Sequence, residues 1–486
     1  MKKIGLFLGI VIFGGMLLSG TALGLPAPAW RVLAIAALML IWWISEAVPI
    51  PVTALLPMVL LPALQIYDMK EAAAPYASPI VFLFMGGFML ALAMEKWQLH
   101  RRIALNIVRV TGTNANGIIL GFMLATAFLS MWISNTATTV MMLPIGVSVI
   151  DLLRRGREND LASSAGNSAF AISLMIGIAY AANIGGTATI VGTPPNVVLA
   201  GFIERTYDIQ ISFASWTAFA FPFALLLLLI TYFLLTRFIF RNGLGTFAGA
   251  QQLIRTQLKE LGAISLAEKR TLIVFACTAM AWIFRTQINL VLGLAKGDGQ
   301  LELTDPMIAI FATIALFVFP VNWKQEQFLL DWADTQRLPW GILLLFGGGL
   351  SLADGLKAVG LIDLIGAQFS DASITGFWII LGLTAVSLFL TEIMSNVALV
   401  TVFLPVVGAV ALGMDISPLL LCIPVTLAAS CAFMLPMSTP PNAIVFASGH
   451  LRIADMVKAG IWLNLIAIAL ITALSQWILP WFFAGG

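Results

Sequence analysis

The sequence predicts an all-α polytopic membrane protein with about 11 transmembrane helices, two re-entrant hairpins and two inverted repeats. Three observations lead to this fold class. Of the 486 residues, 60% are hydrophobic and only 10% are charged, whereas a soluble chain carries about 25% charged residues. Apolar runs of about 20 residues, the length that crosses a bilayer, recur along the chain. Short polar motifs of the first half also reappear in the second half.

The apolar runs define the expected membrane crossings. They lie at 4–24, 30–48, 51–67, 79–95, 166–200, 214–240, 269–290, 304–321, 338–353, 416–447 and 458–483. We expect the first run to form a retained N-terminal helix within 1–27, although a cleaved signal peptide would begin in the same way. Two further stretches, 114–152 and 373–410, are too long for one helix and are interrupted in the middle. We interpret them as an inward and an outward hairpin, each made of two half-helices.

The distribution of basic residues predicts the orientation. If the crossings alternate and the N-terminus is cytoplasmic, most of the 25 Lys and Arg residues fall in cytoplasmic loops, as the positive-inside rule requires. An odd number of crossings then places the C-terminus outside, and we expect a bacterial inner (plasma) membrane location. The net charge of +2 is too small to indicate a nucleic-acid partner.

Polar motifs recur at a constant spacing, which indicates an internal repeat. Ser134-Asn135-Thr136 reappears as Ser395-Asn396-Val397. The same offset relates Gly86-Gly87 to Gly347-Gly348, Lys96 to Lys357, Ser130 to Thr391 and Leu143-Pro144 to Leu404-Pro405. Chance could produce one such match but hardly all of them. We therefore predict repeats at 28–241 and 269–486, joined by a cytoplasmic linker at 242–268 and inverted because each contains an odd number of crossings.

A second repeated motif predicts two broken helices. Thr193-Pro194-Pro195-Asn196, within 166–200, recurs as Thr439-Pro440-Pro441-Asn442, within 416–447. Two consecutive prolines remove two backbone donors, so the helix must break. Irregular backbone at membrane depth is tolerated only where protein or a water-filled cavity covers it. Its free N–H groups attract anions and its free carbonyls attract cations.

The hairpins and broken helices lack basic side chains. No Lys, Arg or His lies between Arg109 and Arg154, between Arg157 and Arg205, or between Lys357 and His450. An anion bound there must be held by hydroxyls, amides and helix N-termini, and co-bound cations could offset its charge. Ser, Thr and Asn oxygens suit a hard cation such as sodium. The alternative is that these side chains only join helices through hydrogen bonds.

Glu392 is the one carboxylate beside either polar motif. It could relay a proton or sodium inside the membrane. We favour a structural or indirect role for this side chain.

At these motifs the chain resembles the divalent-anion/sodium symporter (DASS) family of dicarboxylate carriers. The resemblance extends from Gly86 to Gly460 and is most specific over 428–446. It implies a homodimer in which each protomer has a scaffold and a moving transport domain. It also implies an elevator motion and one sodium ion at each hairpin tip.

The resemblance also implies which residues form the sites. The first sodium site would use Ser130, Ser134, Asn135 and the backbone near Gly192, and the second Thr391, Asn396 and the backbone near Met394 and Ser438. The substrate would meet Ser134, Asn135, Thr136, Thr193, Pro194, Ser395, Asn396, Val397, Thr439 and Pro440. Val397 departs from the family pattern, because some members carry a threonine there, and this puts the substrate in doubt more than the mechanism.

We therefore expect sodium-coupled import of C4-dicarboxylates such as succinate, malate or fumarate, with co-transported sodium as the only cofactor. Citrate, 2-oxoglutarate and sulfate stay open as substrates, as does sodium-independent exchange on the same fold. An enzyme is not expected, since the sequence contains no Gly-x-Ser-x-Gly or His-Glu-x-x-His motif. A channel is less favoured, because inverted repeats with broken helices indicate alternating access.

Overall fold

The computed structural model describes residues 2–20, 25–112, 114–155, 161–245, 248–294, 302–369 and 376–483. Small parts of the expected first helix (21–24), linker (246–247) and second hairpin (373–375) lie outside the described residues. The described chain is helical apart from one short antiparallel pair of strands, β1 (Pro320–Asn322) and β2 (Gln327–Phe328).

The described residues of the first half form twelve α-helices. They are α1 (Lys2–Leu18), α2 (Ala27–Ser45), α3 (Ile50–Thr53), α4 (Leu56–Ala63), α5 (Met69–Ala73), α6 (Pro79–Lys96), α7 (Leu99–Val110), α8 (Ala115–Ser130), α9 (Asn135–Arg155), α10 (Leu161–Thr187), α11 (Pro194–Tyr207) and α12 (Phe213–Phe233). Helix α12 continues as a π-helix over Leu234–Ile239, and short 3₁₀ turns lie at Ala74–Ala77 and Ile190–Gly192.

Twelve further α-helices lie in the described part of the second half. They are α13 (Ala248–Glu260), α14 (Leu266–Ile283), α15 (Arg285–Val291), α16 (Asp305–Val318), α17 (Trp340–Ala358), α18 (Leu361–Ala367), α19 (Gly376–Thr391), α20 (Asn396–Gly413), α21 (Pro418–Ala429), α22 (Pro440–Phe446), α23 (Ile453–Trp477) and α24 (Leu479–Phe483). Two 3₁₀ turns, Trp323–Gln325 and Trp332–Arg337, flank β2.

Among the described residues, eight helical segments are long and apolar enough to cross a membrane, or nine if α14 and α15 form one span bent by 80°. The run at 51–67 is divided into α3 and α4, because Pro51 and Pro57 each stand in a first helical turn, where a missing N–H costs nothing. The run at 304–321 contains only the 14 residues of α16. A polytopic helical fold is therefore confirmed, whereas the count of about 11 crossings stays a prediction.

Small residues allow the helices to pack closely. A Cβ added to Gly86 in α6 would lie 2.7 Å from the backbone oxygen of Ala309 in α16. A Cβ on Gly185 in α10 would overlap the backbone of Ala127 in α8. Such glycine contacts let helices approach in a membrane, where hydrophobic burial gives little driving force between them.

The predicted helix breaks are present at the expected motifs. In the first hairpin segment, α8 ends at Ser130 and α9 begins at Asn135, and in the second, α19 ends at Thr391 and α20 begins at Asn396. The Thr-Pro-Pro-Asn segments likewise interrupt the helix between α10 and α11 and between α21 and α22. The re-entrant course of the hairpins stays a prediction.

Candidate solute-binding site

The first candidate site is a cluster of three oxygen atoms at the break between α8 and α9. The hydroxyl of Ser130 lies 2.7 Å from Asn135 Oδ1 and 2.7 Å from the backbone oxygen of Ala182. Ser130 is fully buried. Its hydroxyl has one proton, so it can donate to only one of these two acceptors. The cluster therefore has an excess of oxygen lone pairs and favours a cation.

The second half of the chain contains a matching cluster. The hydroxyl of Thr391 lies 2.7 Å from Asn396 Oδ1 and 2.7 Å from the backbone oxygen of Ala429. Thr391 is also fully buried. The two side-chain pairs are those that the sequence offset related, and their hydrogen-bond geometry is the same.

The two Thr-Pro-Pro-Asn segments are held by their asparagines. Asn196 Nδ2 donates to the backbone oxygens of Thr189 at 2.8 Å and Thr187 at 3.2 Å. Asn442 Nδ2 donates to the backbone oxygens of Ala432 and Leu435 and to Ser438 Oγ, each at 3.1 Å. Both amides are completely buried. They replace the hydrogen bonds that the broken helices lose, a role that the sequence did not assign to them.

The predicted substrate residues cluster at helix N-termini. Ser134, Thr193, Ser395 and Thr439 immediately precede α9, α11, α20 and α22, and Asn135, Pro194, Asn396 and Pro440 are the first residues of these helices. Two of the four hydroxyls cap their helices, since Ser134 Oγ accepts from Ala137 N at 3.2 Å and Thr439 Oγ1 accepts from Asn442 N at 3.4 Å. Helix N-termini carry partial positive charge and attract anions.

Exposure differs among the predicted substrate residues. Thr136 and Pro440 are exposed; Ser134, Asn135, Pro194, Ser395, Asn396 and Val397 are partly buried; and Thr193 and Thr439 are buried. The helix starts therefore have one exposed side, while the other side packs into the protein.

The two halves of the chain contribute to each other's sites. Helix α22 contacts α9, and α11 contacts α20, so each Thr-Pro-Pro-Asn helix packs on the hairpin of the other half. Asn183 Nδ2 in α10 donates to Thr439 Oγ1 at 3.0 Å and lies 3.4 Å from Asn442 Oδ1. Among the described residues, no hydrogen bond joins the Ser130 cluster to the Thr391 cluster.

The remaining predicted sodium ligands are Gly192, Met394 and Ser438, and they differ in how near they lie to the oxygen clusters. A Cβ on Gly192 would overlap the backbone oxygen of Gly186, and a Cβ on Gly186 would lie 2.5 Å from Asn135 Oδ1. Gly192 is thus one residue removed from the first cluster. In the second half, Ser438 Oγ donates to Leu435 O at 2.6 Å, within its own segment. Within the described chain, neither Met394 nor Ser438 is hydrogen-bonded to Thr391 or Asn396.

Glu392 stabilises the broken segment before α22. Its Oε1 accepts from Phe433 N at 2.8 Å, Met434 N at 2.9 Å and Asn464 Nδ2 at 2.8 Å, and its Oε2 accepts from Leu435 N at 3.2 Å. The side chain is only 4% exposed. Four donors surround the carboxylate, which joins the segment 433–435 to α23; the structural or indirect role that we favour for Glu392 stays a prediction.

Comparison with known proteins places the chain in a family. The family described as "Sodium:sulfate symporter transmembrane region" matches residues 1–484. The chain is 40% identical over 481 residues to the "Sodium-dependent dicarboxylate transporter SdcS" of Staphylococcus saprophyticus, covering 99% of this chain and 92% of the relative. The protein of the same name from Staphylococcus aureus (strain USA300) is 40% identical over 485 residues, covering 99% and 91%.

Solved structures with little sequence similarity share the fold. The Alcanivorax borkumensis YdaH transporter has a TM-score of 0.58 at 13% identity and covers 93% of this chain and 99% of its own. Neisseria gonorrhoeae MtrF, described among antimetabolite efflux pumps, has a TM-score of 0.55 at 13% identity and covers 96% and 97%. At this identity the likeness concerns the fold alone.

The matched relatives are transporters, which confirms the prediction that the chain is a transporter and not an enzyme. Its apolar helices and its relatives together make it an integral membrane protein. The motifs that suggested the family lie within the matched region, and the chain belongs to the sodium:sulfate symporter, or divalent-anion/sodium symporter (DASS), family.

Proposed function

We propose that the chain imports C4-dicarboxylates such as succinate, malate and fumarate together with sodium. The observation that carries the proposal is the pair of matched oxygen clusters at Ser130 and Thr391, each with one hydroxyl proton for two acceptors. The relatives named as sodium-dependent dicarboxylate transporters, at 40% identity over nearly the whole chain, support the same assignment.

One sodium ion binds at each cluster. When the hydroxyl donates to one oxygen, the other oxygen stands 2.7 Å away with no proton between them. Two facing lone pairs at this distance repel, and this repulsion costs energy. A sodium ion coordinated by these oxygens removes that cost. The serine and threonine hydroxyls and the two asparagine oxygens are ligands of the kind that hard cations take.

The dicarboxylate binds between the starts of α9, α11, α20 and α22. Since no Lys, Arg or His occurs in 110–153, 158–204 or 358–449, its two carboxylates are met by backbone N–H groups and by the hydroxyls and amides of Ser134, Asn135, Ser395 and Asn396. Two sodium ions carry the charge that offsets a dianion. Sodium binding and substrate binding are then coupled, because neither charge is stable at the site alone.

Transport follows an elevator motion of a homodimer, with a cytoplasmic N-terminus and an external C-terminus. The hairpins at 114–152 and 373–410 are re-entrant and belong to two inverted repeats. The equal hydrogen bonds of Ser130 and Thr391 support the repeat, as do the equal roles of Asn196 and Asn442. The homodimer and the moving transport domain are proposed from family membership.

Uptake of labelled succinate into proteoliposomes tests the proposal, with an inward gradient of sodium or of potassium. We expect accumulation only with sodium, and Ser130→Ala should raise the sodium concentration for half-maximal uptake at least tenfold. Ser148→Ala is the matched control, because its hydroxyl donates to Pro144 O at 2.8 Å in the same hairpin, away from the cluster.

Three results would contradict the proposal. Uptake that ignores sodium but needs internal dicarboxylate would indicate an exchanger. Transport of sulfate but not succinate would indicate a sulfate symporter. Unchanged sodium dependence in the Ser130→Ala variant would remove the first cluster as a sodium site.

A further inference from the structure

A basic cavity lies away from the solute site, between α7 and α13. Its volume is about 850 Å³, and its charged lining consists of Arg102, Arg109, Arg255 and Lys259. The other lining residues are Asn106, Leu258 and Gly262, so none of the described residues that line the cavity is acidic. Helix α13 belongs to the segment between the two repeats, and neither helix contributes to the oxygen clusters.

Arg102 builds the wall of the cavity. Its Nε lies 2.7 Å from Glu268 Oε1, and its guanidinium also donates to the backbone oxygens of Leu261 and Gly262 at 3.1 and 3.0 Å. This network fixes the end of α13 against α7. The charge of Arg102 is thereby balanced by Glu268.

The other three basic side chains of the lining are not paired with a described carboxylate in the way that Arg102 is. Arg109, Arg255 and Lys259 are exposed, and none of them forms an ion pair with the described residues. Burial lowers the pKa of His100, which also lies on α7. Three like charges around one cavity repel each other, and an anion placed among them relieves the repulsion.

The surroundings indicate that this anion is attached to apolar chains. After Gly262 several large apolar side chains are exposed, interspersed with Ser265 and Lys269: Ile264 is 37% exposed, Leu266 51% and Ile273 59%. Leu266 and Ile273 lie on α14, which together with α15 is apolar enough to cross the membrane. Helix α7 is amphipathic, since Leu99, Ala104 and Val108 are buried whereas Arg109 is exposed, as in helices that lie at a membrane surface.

We propose that this cavity binds the phosphate headgroup of an anionic phospholipid. Arg109, Arg255 and Lys259 contact the phosphate, and the acyl chains lie along the apolar surface of α14. Arginine forks and a lysine ammonium are the groups that proteins use to bind phosphate. Since α13 contacts both α7 and α9, a bound lipid joins the segment between the repeats to the first hairpin.

Thermal unfolding of the purified full-length protein in detergent tests this site. Added phosphatidylglycerol should raise the melting temperature by several degrees relative to phosphatidylcholine, since a ligand that binds only the folded state stabilises it. The triple variant Arg109→Gln/Arg255→Gln/Lys259→Gln should lose this shift. Its control, Arg241→Gln/Lys269→Gln/Arg270→Gln, removes three nearby basic residues that do not line the cavity and should keep the shift.

A second arm separates a lipid from a soluble phosphate compound. Glycerol 1-phosphate, at concentrations matched to the lipid, should leave the melting temperature unchanged. An equal shift with this compound would overturn the lipid assignment, and an equal lipid shift in the triple variant would overturn the site. If the triple variant does not fold, Arg255→Gln alone should weaken half-saturation by phosphatidylglycerol at least threefold, and an unchanged half-saturation would overturn the site.

Discussion

Replacing Glu392 with glutamine removes one charge from the interior without changing the shape of the side chain. Glu392 Oε1 accepts three hydrogen bonds, from Phe433 N, Met434 N and Asn464 Nδ2, and Oε2 accepts one from Leu435 N. In the variant the remaining oxygen still accepts from the same three donors, but these hydrogen bonds are no longer charge-assisted. The new NH₂ group replaces Oε2 and faces the N–H of Leu435, so two donors meet.

The cost can be worked from these contacts. A hydrogen bond to a charged group contributes about 1.5–3 kcal/mol and a neutral one about 0.5–1.5 kcal/mol, so three weakened bonds cost about 3 kcal/mol. The N–H of Leu435 then has no acceptor, which adds a cost of about 1–3 kcal/mol. Relief from burying a charge offsets part of this sum, and we expect a net loss of about 2–4 kcal/mol. In a chain of this size such a loss lowers the melting temperature by about 2–4 °C.

The measurement is thermal unfolding of Glu392→Gln in detergent, together with succinate uptake in proteoliposomes. Uptake should fall as well, because the segment at 433–435 precedes Ser438 and Thr439. Glu204→Gln is the matched control, since this carboxylate accepts an exposed hydrogen bond from Gln210 Nε2 at 3.2 Å. The melting temperature of this variant should stay within about 1 °C of that of the unchanged protein. An unchanged melting temperature in Glu392→Gln would refute the reasoning that a charged carboxylate holds this segment.

Three further predictions concern the solute site and the helix packing. Asn135→Ala and Asn396→Ala should each abolish uptake in a protein that still folds, as checked by gel filtration, and normal uptake by either variant would contradict the site. Val397→Thr restores a hydroxyl and should change the relative uptake of succinate, citrate and sulfate more than the sodium dependence; a changed sodium dependence alone would argue against its place beside the substrate. Gly86→Ala places a methyl group 2.7 Å from a backbone oxygen of α16 and should lower the melting temperature by several degrees, whereas Gly14→Ala, with no atom within 4 Å of its added Cβ, should not.

The sequence predicted the oxygen clusters because each contains a local pair. Ser130 and Asn135 stand five residues apart across a helix break, and Thr391 and Asn396 repeat this spacing. The constant offset between the repeats is sufficient to relate one pair to the other. Their third member, a backbone oxygen from α10 or α21, carries no signal in the sequence, because any residue type can supply a carbonyl.

Neither the hydrogen-bond partners at the helix breaks nor the contacts between distant segments could be predicted. The amides of Asn196 and Asn442 hold carbonyls within ten residues of themselves, yet nothing in the composition states which carbonyls are free. The basic segment from Lys96 to Arg109 was visible in the sequence, whereas its apposition to α13 depends on the fold. Helix lengths were also overestimated at 304–321, because hydropathy marks an apolar run and not its backbone conformation.

The crossed packing of the two halves has a consequence for synthesis. Asn183 and its partner Asn442 are 259 residues apart. The ribosome therefore synthesises Asn183 long before Asn442. Until then the first half resides in the bilayer with a polar group that the finished protein keeps fully covered, which is costly in hydrocarbon. A chain that terminates before Thr439 therefore leaves the Asn183 amide without these two partners, Thr439 and Asn442.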